Sequence, residues 1–175
     1  MSRPREYPDE IAGPYEAPPK TFEDAAGREI RVERYDGEFN ALVEMYLAFN
    51  PEDRAQGIPP TGESRVSRWL DGLLSDDCIN VVAWHDGRAI GHATLVPDVE
   101  DASELAIFVL REYQEAGIGT RLIEALLGAG RESEIEKIWL TVERWNTAAV
   151  ALYRKVGFEP SDTGGFELEM AARLH

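Results

Sequence analysis

The stretch Ser103-Glu-Leu-Ala-Ile-Phe-Val-Leu-Arg-Glu-Tyr-Gln-Glu-Ala-Gly-Ile-Gly-Thr120 decides how this chain folds. Glu104 to Val109 is a compact apolar strand in which Glu104 is the only charged residue. A short loop follows and opens a helix over Ile118 to Leu127, apolar at Leu122, Ile123, Leu126 and Leu127. Gly117 and Gly119 stand where loop meets helix, and glycines let backbone N–H groups approach a ligand with no Cβ in the way. The first turn of a helix leaves N–H donors unpaired and carries partial positive charge. Together these features make a seat for a pyrophosphate, to which Thr120 adds a hydroxyl donor.

Downstream, Lys137 to Val142 reads as a strand, so the strand–helix–strand unit is a right-handed parallel crossover. A helix over Thr147 to Val156 ends at Gly157, and Phe166 to Met170 suits a last strand. Upstream, strands Cys78–His85 and Arg88–Val96 flank Asp86-Gly87, a two-residue hairpin signal, and Pro97 to Ala102 is an acidic loop. Helical spacing covers Glu63 to Leu74, with Val66, Trp69, Leu70 and Leu73 on one side. It also covers Phe39 to Phe49, stopped by Asn50-Pro51, and the stretch Pro51 to Gly62 between them is a loop. Glu29 to Tyr35 alternates as a first strand. Residues 1–26, with Pro4, Pro8, Pro14, Pro18 and Pro19, form an extended tail draped on the domain that residues 27–175 make. The expected fold is α/β in the α+β sense, a mixed and mostly antiparallel sheet of about six to seven strands with helices on both sides.

The 175 residues suit one domain, and 43% hydrophobic residues suit a substantial core. No run approaches the roughly 18 apolar residues of a membrane span. The polar, proline-rich start does not read as a signal peptide. The single cysteine, Cys78, excludes an internal disulfide framework and reads as a small core residue. The expected location is the cytoplasm. The net charge is −15, from 33 acidic against 18 basic residues, and only Lys20, Lys137 and Lys155 are lysines. Such a surface repels nucleic acid. It suits a protein working in molar salt, where self-repulsion is screened within about 3 Å, against the plainer reading of an ordinary acidic cytosolic protein. His85 and His92 have no partner at metal-ligand spacing, so no metal is expected.

Two familiar phosphate motifs fail on the loop. A Walker P-loop needs Gly-Lys-Ser/Thr, and Gly119 is followed by Thr120-Arg121. A dinucleotide fingerprint needs Gly or Ala where Leu122 stands. The wider pattern resembles the GNAT superfamily of acyl-CoA N-acyltransferases. Gln114-x-x-Gly117-x-Gly119 after an apolar strand is similar to its Gln/Arg-x-x-Gly-x-Gly/Ala motif. Asn146, Ala148-Ala149, Leu152-Tyr153 and Gly157-Phe158 resemble its Asn-x-x-Ala-x-x-Leu-Tyr-x-x-x-Gly-Phe segment. The resemblance is specific from about Ser103 to Phe158 and transfers no motif to the first 60 or so residues.

The resemblance implies acetyl-CoA as cosubstrate. Its pyrophosphate would rest on N–H groups of Gln114, Glu115, Ala116, Gly117, Ile118, Gly119 and Thr120. Pantetheine would lie between splayed parallel strands and pair with backbone around Phe108 and Val109. Asn146 would either bond the pantetheine arm or simply cap its helix. Tyr153 would be either the general acid that protonates the leaving thiolate or a core tyrosine. Glu104 shares a strand face with Ala106 and Phe108, and the segment Ser-Glu-Leu-Ala-Ile-Phe-Val resembles the strand of GNAT protein-lysine acetyltransferases that place a glutamate there. That makes Glu104 the candidate base, with a raised pKa in apolar surroundings, against the reading of a strand-end glutamate in solvent. Trp139 and Trp145 would pack or line the acceptor channel.

The implied activity is acetyl transfer to a primary amine by direct attack in a ternary complex, the acceptor being a protein lysine, a protein N-terminus or a small amine. A non-catalytic acyl-CoA-binding module is the competing reading. It would need neither Glu104 nor Tyr153. No nucleic acid and no membrane is expected as partner, and the chain would be a monomer or homodimer.

Overall fold

The computed structural model describes residues 5–49, 59–162 and 165–175. The expected helix stop at Asn50-Pro51 and most of the Pro51–Gly62 loop lie outside the described residues. Strands β1 (Lys20–Glu23) and β2 (Glu29–Arg34) come first, then helices α1 (Phe39–Leu47) and α2 (Glu63–Leu73). Strands β3 (Ile79–His85), β4 (Arg88–Pro97) and β5 (Ser103–Val109) follow, then α3 (Ile118–Glu132). The chain ends with β6 (Lys137–Glu143), α4 (Thr147–Val156), β7 (Glu159–Asp162) and β8 (Glu167–Arg173). The strands form one eight-stranded sheet in the order β1-β2-β3-β4-β5-β6-β8-β7. Every pairing is antiparallel except β5 with β6. Asp86 and Gly87 turn the β3–β4 hairpin with positive φ at both, the backbone that a two-residue hairpin requires.

Eight strands stand where about six to seven were expected. The unforeseen pieces are the edge strands β1 (KTFE) and β7 (EPSD). An edge strand needs no apolar alternation, and it tolerates a proline such as Pro160. Helix α3 also runs five residues past the expected Leu127, through Gly128 and Gly130. Both glycines are there for contact. A Cβ on Gly130 would lie 2.9 Å from Leu95 Cδ1, and one on Gly128 would lie 2.4 Å from the backbone of Glu16. Close packing therefore outweighs the poor helix propensity of glycine.

Alternation along β4 sorts the layers. The Gly91 and Leu95 side of the sheet faces α3, since Cβ atoms on Gly91 and Gly130 would touch Leu122 and Leu95 respectively. His92, on the opposite side, meets Tyr46 of α1. A buried polar chain stiffens this second layer. Asn80 Nδ2 donates to the Leu73 carbonyl at 2.8 Å, which leaves its Oδ1 to accept from His92 Nε2 at 2.7 Å. His92 Nδ1 then accepts from the Tyr46 hydroxyl at 2.5 Å. Burial depresses the His92 pKa to about 3, so this imidazole is neutral and its tautomer fixed at any ordinary pH.

Residues 11–17, ahead of β1, are bound to the elements beneath them, and the expected 1–26 tail contains strand β1 itself. Ile11 bridges to Arg173 of β8, and Ala12 N–H donates to the Arg173 carbonyl at 2.7 Å. Ala12 then meets Gly157, where an added Cβ would come within 2.6 Å of its own Cβ. The Tyr15 hydroxyl donates to the Val156 carbonyl at 3.0 Å, and Glu16 and Ala17 cross Gly128. The strap thus spans α4 and α3, from β8 on one side of the sheet to β1 at the other edge.

Candidate active site

Strand β5 is paired with β4 from Ser103 to Val109, and β6 with β8 from Lys137 to Glu143. Between β5 and β6 only Ser103↔Ile138 and Glu104↔Trp139 are in register. From Leu105 onward these neighbours are no longer paired with each other, so the sheet is split there. Buried backbone N–H and C=O groups demand partners. The β5 edge from Leu105 to Val109 is therefore a ready-made ladder for an extended ligand carrying amides. Phe108 stands on the α1 and α2 side of this edge, with its ring T-shaped to Tyr46 at 5.4 Å and to Trp69 at 5.5 Å. The Val109 carbonyl accepts from Gln114 Nε2 at 3.0 Å, so that side chain ties the strand end to the loop.

A 3-10 turn, Arg111–Tyr113, leads into the loop. Three contacts fix it. The Tyr113 hydroxyl meets His85 Nδ1 at 2.7 Å, the Arg28 guanidinium lies 4.2 Å from the Tyr113 ring, and Ala25 N–H donates to the Ala116 carbonyl at 3.0 Å. Ala116 and Ile118 are buried and anchor the loop, while Gln114, Glu115 and Gly117 are exposed and Gly119 and Thr120 half-buried. Glu115 and Gly117 both have left-handed backbone, φ 59° and 84°. A Cβ at Gly117 would meet nothing within 4 Å, so the space beside it is open. An open cavity of about 370 Å³ begins there, lined by Gly117, Thr120, Arg121 and Glu124 of α3, Lys155 and Val156 of α4, and Tyr15. An open glycine at a helix start, with two cations against one carboxylate, is chemistry suited to an anionic group such as a phosphate.

Asn146 caps α4, its Oδ1 accepting from Ala149 N–H at 3.2 Å. Tyr153, on the second turn of α4, is buried with its ring T-shaped to Phe158 at 6.0 Å. Burial pushes its hydroxyl up to about 12, so it stays a protonated donor.

Glu104 lies at the paired end of β5, level with Trp139. The apolar surroundings expected for it are corrected by the structure, in which it is an exposed residue. Partial burial first, then the carboxylates of Asp98, Glu167 and Glu169, hold it above the usual glutamate range, with Arg5 opposing them. Arg5 comes from the strap, pairs with Glu169 and lies 3.9 Å over the Trp139 ring. Trp139 Nε1 donates to Asp98 Oδ2 at 2.8 Å, so this indole is half-buried and fixed, whereas Trp145 is 76% exposed. Cys78 is corrected too. It sits half-exposed just before β3, 3.4 Å from Ser75 Oγ, rather than in the core. Sequence reasoning missed Tyr15, Arg121 and Lys155 as cavity residues. Thr120-Arg121 was legible as the loop's continuation, but nothing in the sequence links Tyr15 to a loop a hundred or so residues away.

Residues 39–158 match the model of a sequence family described as "Acetyltransferase (GNAT) family". The chain is 27% identical over 116 residues to the [ribosomal protein bS18]-alanine N-acetyltransferase of Escherichia coli K12, covering 66% of this chain and 75% of that one. Its fold superposes on the GNAT domain of S. lividans PAT with a TM-score of 0.76 at 16% identity, over 97% of this chain and 100% of that one. It superposes on a phosphinothricin acetyltransferase from Sinorhizobium meliloti, solved in complex with AcCoA, with a TM-score of 0.68 at 19% identity. That match covers 83% of this chain and 88% of the other.

Proposed function

Given that this chain belongs to the GNAT acetyltransferase family, we propose that it transfers an acetyl group from acetyl-CoA to a primary amine by direct attack, a peptide N-terminus being the first candidate acceptor. The divergence of β5 and β6 beyond Glu104 is the observation that carries this reading, because it leaves a strand edge free for the pantetheine arm. The backbone of Phe108 and Val109 would pair with that arm. The loop Gln114–Thr120 would hold the pyrophosphate on its N–H groups. Glu104 acts as the base. Four strand residues, about 13 Å, separate it from Phe108, so it collects the amine proton through water. Tyr153 donates its phenolic proton to the departing sulfur. Glu104, Trp139, Thr141, Glu143, Glu167 and Glu169 share one face of β5, β6 and β8 by strand alternation, and four of them are acidic. Such a face favours a cationic acceptor, and the relative that acetylates a ribosomal-protein alanine supports an N-terminal one. The lysine-poor charge of −15 supports work in high salt.

The test is thiol release from acetyl-CoA with three acceptors: a peptide with a free N-terminal alanine, the same peptide N-blocked but carrying lysine, and a polyamine. The free N-terminus is expected to turn over fastest. Equal rates on all three would remove the N-terminal preference. Acetyl-CoA binding without turnover on any of them would identify a non-catalytic binding module instead.

A further inference from the structure

The strap made by residues 12–17 lies outside the family-matched residues 39–158, yet it helps build the cavity next to the phosphate loop. We propose that this strap is a wall of the acetyl-CoA site, and that Tyr15 with Arg121 and Lys155 seats the 3′-phosphoadenosine end of the cosubstrate. This rests on the acetyl-CoA reading given above.

The argument begins with position. Gly117 and Thr120 belong both to the phosphate loop and to the cavity, so the cavity is the next space a ligand enters beyond the pyrophosphate. In acetyl-CoA that next portion is a ribose with a 3′-phosphate and a flat adenine. The cavity offers groups suited to both. Arg121 and Lys155 are exposed cations on different helices, and among the described residues neither is in an ion pair. Glu124 is the one carboxylate facing them. Tyr15 supplies an aromatic surface, of the kind on which planar bases stack.

Tyr15 is also held in place. Its hydroxyl is committed to the Val156 carbonyl at 3.0 Å. Burial, and after it Glu124, hold that hydroxyl above its ordinary pKa, so it remains a donor. On either side the strap is pinned where the helices have no side chain. Ala12 rests on Gly157, and Glu16 and Ala17 rest on Gly128. A methyl group at Gly128 would stand 2.4 Å from a strap backbone carbon, so Gly128→Ala must lift the strap without touching any cavity residue.

Calorimetry would measure the binding of acetyl-CoA and of acetyl-dephospho-CoA, which lacks the 3′-phosphate, to the full chain and its variants. The parent should prefer acetyl-CoA by about tenfold or more, the value of a charge-assisted phosphate contact. Arg121→Ala with Lys155→Ala should abolish that preference. Tyr15→Ala should weaken both ligands by about tenfold and keep the preference. Tyr15→Phe, which retains the ring, should lose less. Gly128→Ala should behave like Tyr15→Ala if it remains folded by circular dichroism. Gly117→Asp, which puts a carboxylate into the open space beside the loop, tests the underlying site and should abolish binding of both. If Gly117→Asp abolishes binding while Tyr15→Ala binds both ligands like the parent, the strap is only a brace and this inference fails alone. If Gly117→Asp leaves binding intact, the phosphate-loop assignment fails with it.

Discussion

In the proposed reaction Glu104 and Tyr153 would make opposite demands on the proton, and their surroundings bear on both. Glu104 must be ionised to accept a proton, and partial burial together with Asp98, Glu167 and Glu169 raises the pH at which that happens. Turnover should therefore fall as pH drops through a value above that of an ordinary glutamate. Glu104→Gln should lower the rate by about 10²–10⁴-fold, and the deficit should shrink at high pH where free amine is abundant. A raised carboxyl favours the folded state in its protonated form. Its contribution to stability is present below the ordinary glutamate pKa and lost as pH rises through the folded value. Glu104→Gln should thus unfold at the same temperature or higher near neutral pH, which would separate a catalytic loss from a structural one. Tyr153, pushed to about 12, stays protonated across the working range, so Tyr153→Phe should lower turnover with no rescue by pH. Rate against pH and thermal unfolding, measured on both variants, would decide. Full activity of Glu104→Gln near neutral pH would move the base to Glu143 or to a water chain.

Helix α4 is the element on which capping and the proposed cosubstrate contact would compete for one residue. Asn146 makes the capping bond to Ala149 N–H, and Gly157 closes the other end with left-handed backbone at φ 114°. Loss of an N-cap costs about 1 kcal/mol, so Asn146→Ala should be destabilised by that much in chemical denaturation. Asn146→Ser restores the cap in a shorter side chain that does not reach as far. If stability returns with serine while the acetyl-CoA affinity stays low, Asn146 also contacts the pantetheine arm. If both return together, capping is its whole role. The loop in front of α3 is similarly overdetermined, braced by Ala25 and Arg28 from the β1–β2 turn and by His85 at the end of β3. If it is the phosphate seat proposed above, its being assembled before the ligand arrives would reduce the ordering entropy lost on binding.

At the scale of the whole molecule, charge is the dominant variable. A net −15 on 175 residues means that like charges crowd the surface, and several of those carboxylates lie together on the β5–β6–β8 face. Salt shortens the range of that repulsion from about 30 Å at 0.01 M to about 3 Å at 1 M. The thermal midpoint should therefore climb by several degrees, on the order of 5 °C or more, between dilute buffer and molar KCl. A midpoint that is flat or falls over this range would remove the high-salt reading. Acetyl transfer to a cationic peptide should respond in the other direction, its apparent affinity weakening as screening removes the attraction of the acidic face.

The sequence by itself determined the strand–loop–helix over Ser103–Thr120, the Asp86-Gly87 hairpin and the α4 helix with both its ends. Each of these is a local matter, fixed by apolar periodicity, by glycines where the backbone is left-handed and by caps within a turn of their helix. Edge strands β1 and β7 were not legible, because strands exposed on one edge need no apolar pattern and owe their form to the ladder beside them. The splay of β5 and β6 was expected from the family resemblance alone, and only the tertiary structure placed it after two paired residues, since strand divergence is a relation between two segments thirty or so residues apart. The same holds for the company Glu104 keeps, where Arg5, Asp98, Glu167 and Glu169 converge from four positions in the chain. It holds most of all for Tyr15. Its place beside Gly117, Arg121 and Lys155 follows from a strap that packs on two helix glycines, and close packing between distant segments leaves no periodic trace in the sequence.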